Sequence, residues 1–218
     1  MPSALANHAR VITTLDEHGK SVFSTALPEE AERVSVQGGA AYFSLPYVTG
    51  EWPVDLNNDK DLERYEAFLA HPPGVTQQGG TVMRTVDFPP LSLSPMHRTV
   101  SLDFGIVTAG EIEVILDSGE TRLLRVGDIC VQRATMHAWK NPSKTEWGRM
   151  TFILAPAQDL EHKGHKIKDE VVEQCPRQRF MGRMDDIPVR PGPSLTNLDG
   201  RLTTRAVSSF SGHPISHL

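Results

Sequence analysis

Several features that often reveal a function are missing from this chain of 218 residues. Only two cysteines, Cys130 and Cys175, are present, so the chain has no disulfide framework. Lysine and arginine form no run, and the net charge of −5 provides no electrostatic footprint for nucleic acid. No apolar stretch approaches the ~20 residues that cross a bilayer, so we expect no membrane partner. The pattern Gly-x-Gly-x-x-Gly does not occur, so a nucleotide cofactor is not supported.

Two short stretches bear on the location of the protein. The first residues lack the apolar core of a secretory signal, and together with the few cysteines this predicts a reducing, cytoplasmic compartment. The last three residues, Ser216-His217-Leu218, are a variant of the Ser-Lys-Leu peroxisomal address. A tripeptide is a weak signal and a solvated tail end is the simpler interpretation, so a peroxisomal location is the alternative.

Short β-rich segments separated by turn residues predict an all-β protein. The predicted strands of the central region are 81–88, 99–107, 111–116, 121–126, 129–132 and 150–154. Earlier in the chain, Gly19 suits a hairpin turn between two strand candidates. A further candidate begins at Ala40 and should stop at Pro46, because proline cannot donate to a sheet. The sequence contains no visible internal repeat, so we do not expect a duplicated, two-barrel protein.

We divide the chain into three parts. Residues 1–80 are an N-terminal extension with a helix over 59–70, which we expect to pack on the barrel. Residues 81–156 form the barrel core, and 157–218 form a partly irregular C-terminal extension. Within that extension, 167–175 is a candidate for a short helix. From Pro188 onward the composition buries little apolar surface and predicts a loosely draped tail.

Most of the chemistry is concentrated in two glycine-bounded segments, 97–110 and 127–141. In the first, alternation separates an apolar set of side chains from a polar set on one predicted strand. The apolar set is Val100, Leu102, Phe104 and Ile106, and the polar set is His97, Thr99, Ser101 and Asp103. Histidine and aspartate on one face of a strand predict a barrel wall whose inner surface holds a polar site.

The two segments resemble the paired motifs of the cupin superfamily. The first family motif runs His-x-His, three or four residues, Glu, six residues, Gly. His97, Asp103 and Gly110 fit that spacing, with Asp103 in place of the glutamate and Thr99 in place of the second histidine. The second motif opens with Gly and ends His-x-x-x-Asn, which Gly127, His137 and Asn141 match. The stretch between Gly127 and His137 is one residue shorter than in the family motif, and Arg133 and Thr135 replace the usual Pro and Gly.

This resemblance implies a single jelly-roll (RmlC-like) β-barrel with a short N-terminal helix and an irregular C-terminal tail. The chain is similar to single-domain cupins found among fungal polyketide tailoring genes, some of which are described as cupin-domain oxidoreductases. The implied role is a tailoring enzyme that acts on a small polyketide-derived or aromatic substrate. The resemblance also implies a homodimer.

The favoured chemistry is a metal-dependent oxidoreductase. His97, Asp103 and His137 would supply two imidazoles and one carboxylate to Fe(II), Mn, Ni or Zn, with open positions for substrate. Thr99 is a weak substitute for an imidazole, and Asp103 reaches less far than a glutamate would, so both changes should weaken metal binding.

Two alternatives remain open. In the first, a metal-free lyase or isomerase uses His137 and Asp103 as acid and base, since a carboxylate beside a histidine suits proton transfer near neutral pH. Thr99 and Ser101 would then bind a substrate oxygen. In the second, the barrel binds a small molecule without catalysis. Asn141 is expected to form a turn, and the tryptophans are expected mainly to pack the barrel wall.

Overall fold

A computed structural model describes residues 3–36 and 39–172 of the chain. The strands are β1 Thr13–Leu15, β2 Ser21–Phe23, β3 Arg33–Val36, β4 Ala41–Thr49, β5 Thr81–Phe88, β6 Met96–Arg98, β7 Ser101–Ala109, β8 Glu111–Leu116, β9 Thr121–Arg125, β10 Ile129–Arg133, β11 His137–Lys140, β12 Gly148–Pro156, β13 Leu160–His162, β14 His165–Ile167 and β15 Glu170–Val172. The α-helix α1 spans Lys60–Ala70. The prediction of an all-β jelly roll with one short helix is confirmed.

The strands form two main antiparallel sheets and two separate hairpins. One sheet has six strands in the order β10-β7-β12-β5-β4-β3, and the other has five in the order β15-β6-β11-β8-β9. The hairpins are β1–β2, which turns at Gly19 as expected, and β13–β14. Within the described residues no strand ladder joins the two main sheets. They face each other as the halves of a barrel.

The hydrophobic core lies between the facing sheets. Val82, Val107 and Met150 of the six-stranded sheet are at most 1% exposed, and so is Ile112 of the five-stranded sheet. These side chains come from alternate positions of their strands, as expected for walls that bury one face. The prediction that one face of β7 points inward with its polar groups also holds, because Ser101 and Asp103 are buried there while Leu102 and Phe104 are 37% exposed.

The expected strand through His97 and Asp103 is not continuous. The chain leaves the five-stranded sheet after β6 and enters the six-stranded sheet at β7, with a turn closed by a 2.9 Å bond from Ser101 N to Thr99 O. His97 and Asp103 therefore come from opposite walls of the barrel.

Two further expectations need correction. β4 does not stop at Pro46 but runs to Thr49, with a register irregularity between Ser44 and Tyr47. Pro46 lies inside that irregularity, where no ladder hydrogen bond requires its missing N–H. The helix expected over 167–175 is absent up to residue 172, since β15 pairs with β6 and places Val171 opposite His97. That pairing outweighs the weak local helical pattern.

Helix α1 packs on β4 through a tyrosine pair. The rings of Tyr47 and Tyr65 lie 4.7 Å apart, and the Tyr65 hydroxyl donates to Leu45 O at 2.5 Å. Arg10 donates to the same hydroxyl at 2.7 Å, which ties the N-terminal segment to the helix. The helix thus lies against the edge region of the six-stranded sheet.

Among the described residues no helix is long and apolar enough to cross a membrane. Residues 173–218 lie outside the described ranges, and so do the calls made on them: Cys175, the tail from Pro188 and the C-terminal tripeptide.

We expect Gly110→Ala to destabilise the protein by on the order of 3 kcal/mol. Gly110 joins β7 to β8 with φ +66°, and an added Cβ would lie 2.6 Å from Trp147 O. Gly119→Ala is the matched control, because Gly119 has φ +87° but no atom within 4 Å of its Cβ position. The control should cost only the left-handed strain, about 1 kcal/mol. Equal melting temperatures for the two variants would contradict the role of the backbone contact.

Candidate active site

A cavity of about 70 Å³ lies between the two sheets. All four predicted site residues, His97, Thr99, Asp103 and His137, line it. The rest of the wall is mainly apolar and includes the aromatic side chains Phe43, Phe88, Trp139 and Phe152. The polar groups predicted from two separate motifs therefore share one pocket.

The two histidines form a pair on neighbouring strands. His97 of β6 and His137 of β11 are Cα partners, and their ring centroids are 4.4 Å apart. His97 Nδ1 lies 2.8 Å from Pro95 O, and His137 Nδ1 lies 2.8 Å from Thr135 O. A carbonyl oxygen only accepts, so each Nδ1 carries the hydrogen and each Nε2 keeps a lone pair.

Burial keeps both imidazoles neutral. Loss of solvent lowers the pKa of His97, against a smaller opposing effect of Pro95 O. Loss of solvent, with the added effect of His97, lowers the pKa of His137 to about 4. Near neutral pH the pair therefore presents two proton acceptors, and protonation of one ring disfavours protonation of the other.

Asp103 faces this pair from the inner surface of β7. Its side chain is buried, and its Oδ1 has no hydrogen-bond partner within the described residues. Burial raises the pKa of the carboxyl to about 6, with the Ser101 hydroxyl opposing the rise. A carboxyl group with this pKa can hold or release a proton close to neutral pH.

The two hydroxyl candidates differ in position. Thr99 lines the cavity from the turn between β6 and β7. Ser101 lies outside the cavity wall, and its hydroxyl is 3.5 Å from Thr99 O. Of the two, only Thr99 is placed to meet a bound molecule.

Three polar residues of the wall were not anticipated: Arg84, Ser94 and Gln132. Arg84 stands at an inward position of β5, and an arginine amid Val82, Val86 and Phe88 at alternate positions was a usable signal. Gln132 is the Cα partner of Asp103, a relation that depends on strand register. Ser94 lies in a loop before β6, where the sequence offers no pattern.

Two motif residues serve the structure. Asn141 is 1% exposed, and its amide donates to Phe88 O at 3.0 Å and to Glu146 O at 2.8 Å, which fixes a turn as expected. Trp139 packs edge-on against His137 with ring centroids 5.3 Å apart and borders the cavity. Trp147 packs on Tyr42 at 5.8 Å.

The fit of these side chains to a divalent metal is incomplete. Two imidazole nitrogens and one unpartnered carboxylate oxygen face the same space. Yet across residues 3–36 and 39–172, no three His, Cys, Asp or Glu side chains are grouped closely enough to hold a metal ion. His97 and His137 sit together on one wall, while Asp103 belongs to the opposite sheet. The possible metal donors are therefore a pair of imidazole nitrogens on one wall and a separate carboxylate on the other.

No family model matches the chain, but several curated fungal proteins do. It is 48% identical over 155 residues to phomopsin biosynthesis cluster protein D of Diaporthe leptostromiformis, covering 71% of this chain and 82% of that protein. It is 40% identical over 162 residues to a cupin-domain-containing oxidoreductase of Neurospora crassa, covering 73% and 81%. Oryzines biosynthesis cluster protein J of Aspergillus oryzae is 39% identical over 164 residues, covering 75% and 91%.

Among solved structures, an RmlC-like cupin from Shewanella frigidimarina aligns with a TM-score of 0.38 at 15% identity, covering 61% of this chain and 90% of that one. A recombinant oxalate oxidase aligns with a TM-score of 0.31 at 34% identity, covering 34% and 41%. The sequence relatives carry the assignment: this chain belongs to the cupin family. Within it, the relatives include proteins of fungal biosynthesis clusters and proteins named cupin-domain-containing oxidoreductases.

Proposed function

We propose that this protein is a tailoring enzyme of secondary metabolism that moves a proton on a small molecule held between the sheets. The observation that carries the proposal is the shared cavity of two neutral imidazoles and one buried carboxyl group, whose Oδ1 has no hydrogen-bond partner among the described residues. The named relatives from the phomopsin and oryzines biosynthesis clusters support the setting in secondary metabolism.

The proposed chemistry begins at a carbon next to a substrate carbonyl. His137 Nε2 accepts the proton from that carbon, while the Nδ1–H bond to Thr135 O keeps the ring in the accepting tautomer. Negative charge then develops on the carbonyl oxygen, and the carboxyl of Asp103 in its protonated form, or the Thr99 hydroxyl, donates to that oxygen. Return of the proton at another atom completes an isomerisation, and departure of a β-hydroxyl as water completes a dehydration.

The apolar wall supports the proposed kind of substrate. Trp139, Phe152 and Phe43 surround the space next to the polar groups. Such a wall favours a molecule with an aromatic or other apolar body and few polar groups, because apolar surface gains free energy when it leaves water. A small polyketide-derived or aromatic molecule fits this description.

Isotope exchange tests the proposed proton transfer. The substrate is the metabolite that accumulates when the gene is deleted in its host. Incubated with the wild-type protein in D₂O, it should incorporate deuterium next to its carbonyl, and the His137→Ala variant should lose this exchange. His162→Ala is the control, since His162 is exposed on the β13–β14 hairpin. Exchange that persists unchanged in His137→Ala would contradict the assigned base.

A metal-dependent oxidoreductase is the second candidate function. The names of several relatives favour it, and the lone pairs of His97 and His137 are suitable metal donors. A bound ion would act there as a Lewis acid or a redox centre. Elemental analysis of protein purified without chelators separates the candidates, since stoichiometric Fe, Mn, Ni or Zn would overturn the metal-free proposal.

A binding module without catalysis makes a different prediction. If a folded His97→Ala/His137→Ala protein restores the full product profile of the deletion strain, the enzyme proposal fails.

The homodimer stays a prediction as well, to be checked by light scattering. The exposed apolar pair Phe104 and Val131, which are Cα partners at the edge of the six-stranded sheet, is compatible with it.

A further inference from the structure

Gln132 is a polar residue of the cavity wall to which the proposed proton transfer gives no role. It lies near the end of β10, is only 4% exposed and lines the cavity. Its Cα partner on β7 is Asp103, and directly opposed side chains stand about 5 Å apart on the same face of a sheet. The amide of Gln132 and the carboxyl of Asp103 are therefore neighbours on the inner surface of the six-stranded sheet.

Two contacts set the orientation of this amide. The Thr135 hydroxyl donates to Gln132 Oε1 at 2.5 Å, and Gln132 Nε2 donates to Cys130 Sγ at 3.4 Å. A primary amide carries two hydrogens on its nitrogen, so one remains after the contact with Cys130. That hydrogen has no acceptor among the described residues. A buried donor without an acceptor is unfavourable, so a ligand oxygen that accepts from it would be held more tightly.

Thr135 connects the amide to the proposed base. Its hydroxyl donates to Gln132, and its carbonyl oxygen accepts from His137 Nδ1 at 2.8 Å. The turn that contains Thr135 is itself held in place, because Ala134 N donates to Ser101 O at 3.0 Å. This one turn between β10 and β11 thus positions an amide on one wall of the cavity and an imidazole on the other.

We propose that Gln132 is a catalytic residue whose Nε2–H donates to the substrate carbonyl oxygen on which negative charge develops. This inference rests on the proposed function for the proton transfer itself. An oxygen placed between Gln132 and Asp103 lies within hydrogen-bond reach of both groups, because the two side chains are about 5 Å apart.

The electron count of the step is simple. When His137 Nε2 takes the proton from the carbon next to the carbonyl, the C–H electron pair forms a carbon–carbon double bond. The carbonyl π pair moves to the oxygen, and the Gln132 amide stabilises the resulting charge. An amide that is already oriented does so without reorganising. Return of the proton to carbon reverses the electron shift, so no oxidant or reductant is consumed.

Kinetics of deuterium exchange with the accumulated metabolite test this role. Gln132→Met has nearly the same length and no donor, and it should lower kcat about 10²–10³-fold while KM changes little. Thr135→Val removes only the hydroxyl that orients the amide, so it should lose less. Gln78→Met is the control, because Gln78 is exposed before β5 and does not line the cavity. Equal losses in Gln132→Met and Thr135→Val would mean that Gln132 acts only through Thr135, and would overturn the inference.

A carbonyl probe tests the same hydrogen bond without turnover. Acetophenone has an apolar ring and one carbonyl group, whose infrared stretch moves to lower frequency when the oxygen accepts hydrogen bonds. Bound to the wild-type protein, its stretch should lie below the frequency in hexane. In Gln132→Met the shift should be smaller and binding about fivefold weaker, the usual effect of one neutral hydrogen bond. Gln78→Met should match the wild type.

Gln132→Asn keeps the amide but withdraws it by one methylene, so it should lose most of the shift, and it serves if Gln132→Met does not fold. Failure of acetophenone to bind the wild type, or an unchanged stretch in a folded Gln132 variant, would overturn the inference. Loss of deuterium exchange in His137→Ala together with an unchanged stretch would overturn the role of Gln132 alone. A stretch that depends on Gln132, with exchange that persists in His137→Ala, would overturn only the proposed base.

Discussion

Replacing His137 with alanine should slow conversion of the accumulated metabolite by about 10²–10⁴, the usual contribution of one positioned acid or base. The reason is geometric. The His137 ring is buried, and its Nδ1–H bond to Thr135 O leaves Nε2 as the basic atom in the cavity. The rate is measured on purified protein with the metabolite from the deletion strain.

The partner histidine provides an internal check on this prediction. His97 and His137 are adjacent rings, and only one of them readily accepts a proton at a time. If they act as one unit, the double alanine variant should lose little more activity than the more damaged single variant. The His162→Ala control should keep the wild-type rate. Multiplicative losses in the double variant would indicate two independent roles.

Asp103→Asn should lower activity and at the same time stabilise the protein near neutral pH. The carboxylate is buried with an unpartnered Oδ1, and burial raises its pKa from 3.8 to about 6. A pKa shift of that size means that ionising the carboxyl costs roughly 3 kcal/mol more in the folded protein than in the unfolded chain. Asparagine keeps the shape and carries no charge, so at pH 7.5 the variant should unfold at a higher urea concentration than the wild type.

The difference in stability between Asp103→Asn and the wild type should depend on pH, and the direction of each pKa shift gives the sign of that dependence. A carboxyl with a raised pKa stabilises the fold below about pH 4, and this stabilisation is lost as the pH rises through about 6. His137, with its lowered pKa, acts in the opposite direction: its contribution is present above about pH 6.5 and is lost as the pH falls through about 4. The gain from Asp103→Asn should therefore shrink towards pH 4, as urea denaturation at pH 4.5 and 7.5 would measure. A gain of equal size at both pH values would contradict the assignment of the raised pKa to Asp103.

Much of the fold could be predicted from local sequence patterns. The predicted strands 81–88 and 111–116 agree with β5 and β8, and the helix over 59–70 agrees with α1 to within one residue. Alternation and turn residues act over a few positions, so the sequence displays them directly. The paired motifs likewise pointed to His97, Thr99, Asp103 and His137, all of which line the cavity.

Other features depend on partners far away in the chain. The continuation of β4 past Pro46 requires an irregularity against β5, and β15 forms because β6 offers its edge near residue 97. Such pairings override local preference, because strand stability comes from cross-strand contacts. A short window of sequence contains no information about them.

The residue types and their spacing alone predicted an all-β fold, and the resemblance to the cupin motifs pointed to two histidines and one aspartate as candidate site residues. Only the tertiary structure decided that His97 and Asp103 belong to opposite walls, and that Arg84 and Gln132 join them. The physical reason is that protonation and binding depend on burial and on distances between strands. Burial and inter-strand distances are defined only in the folded protein, in which the two sheets line the same cavity.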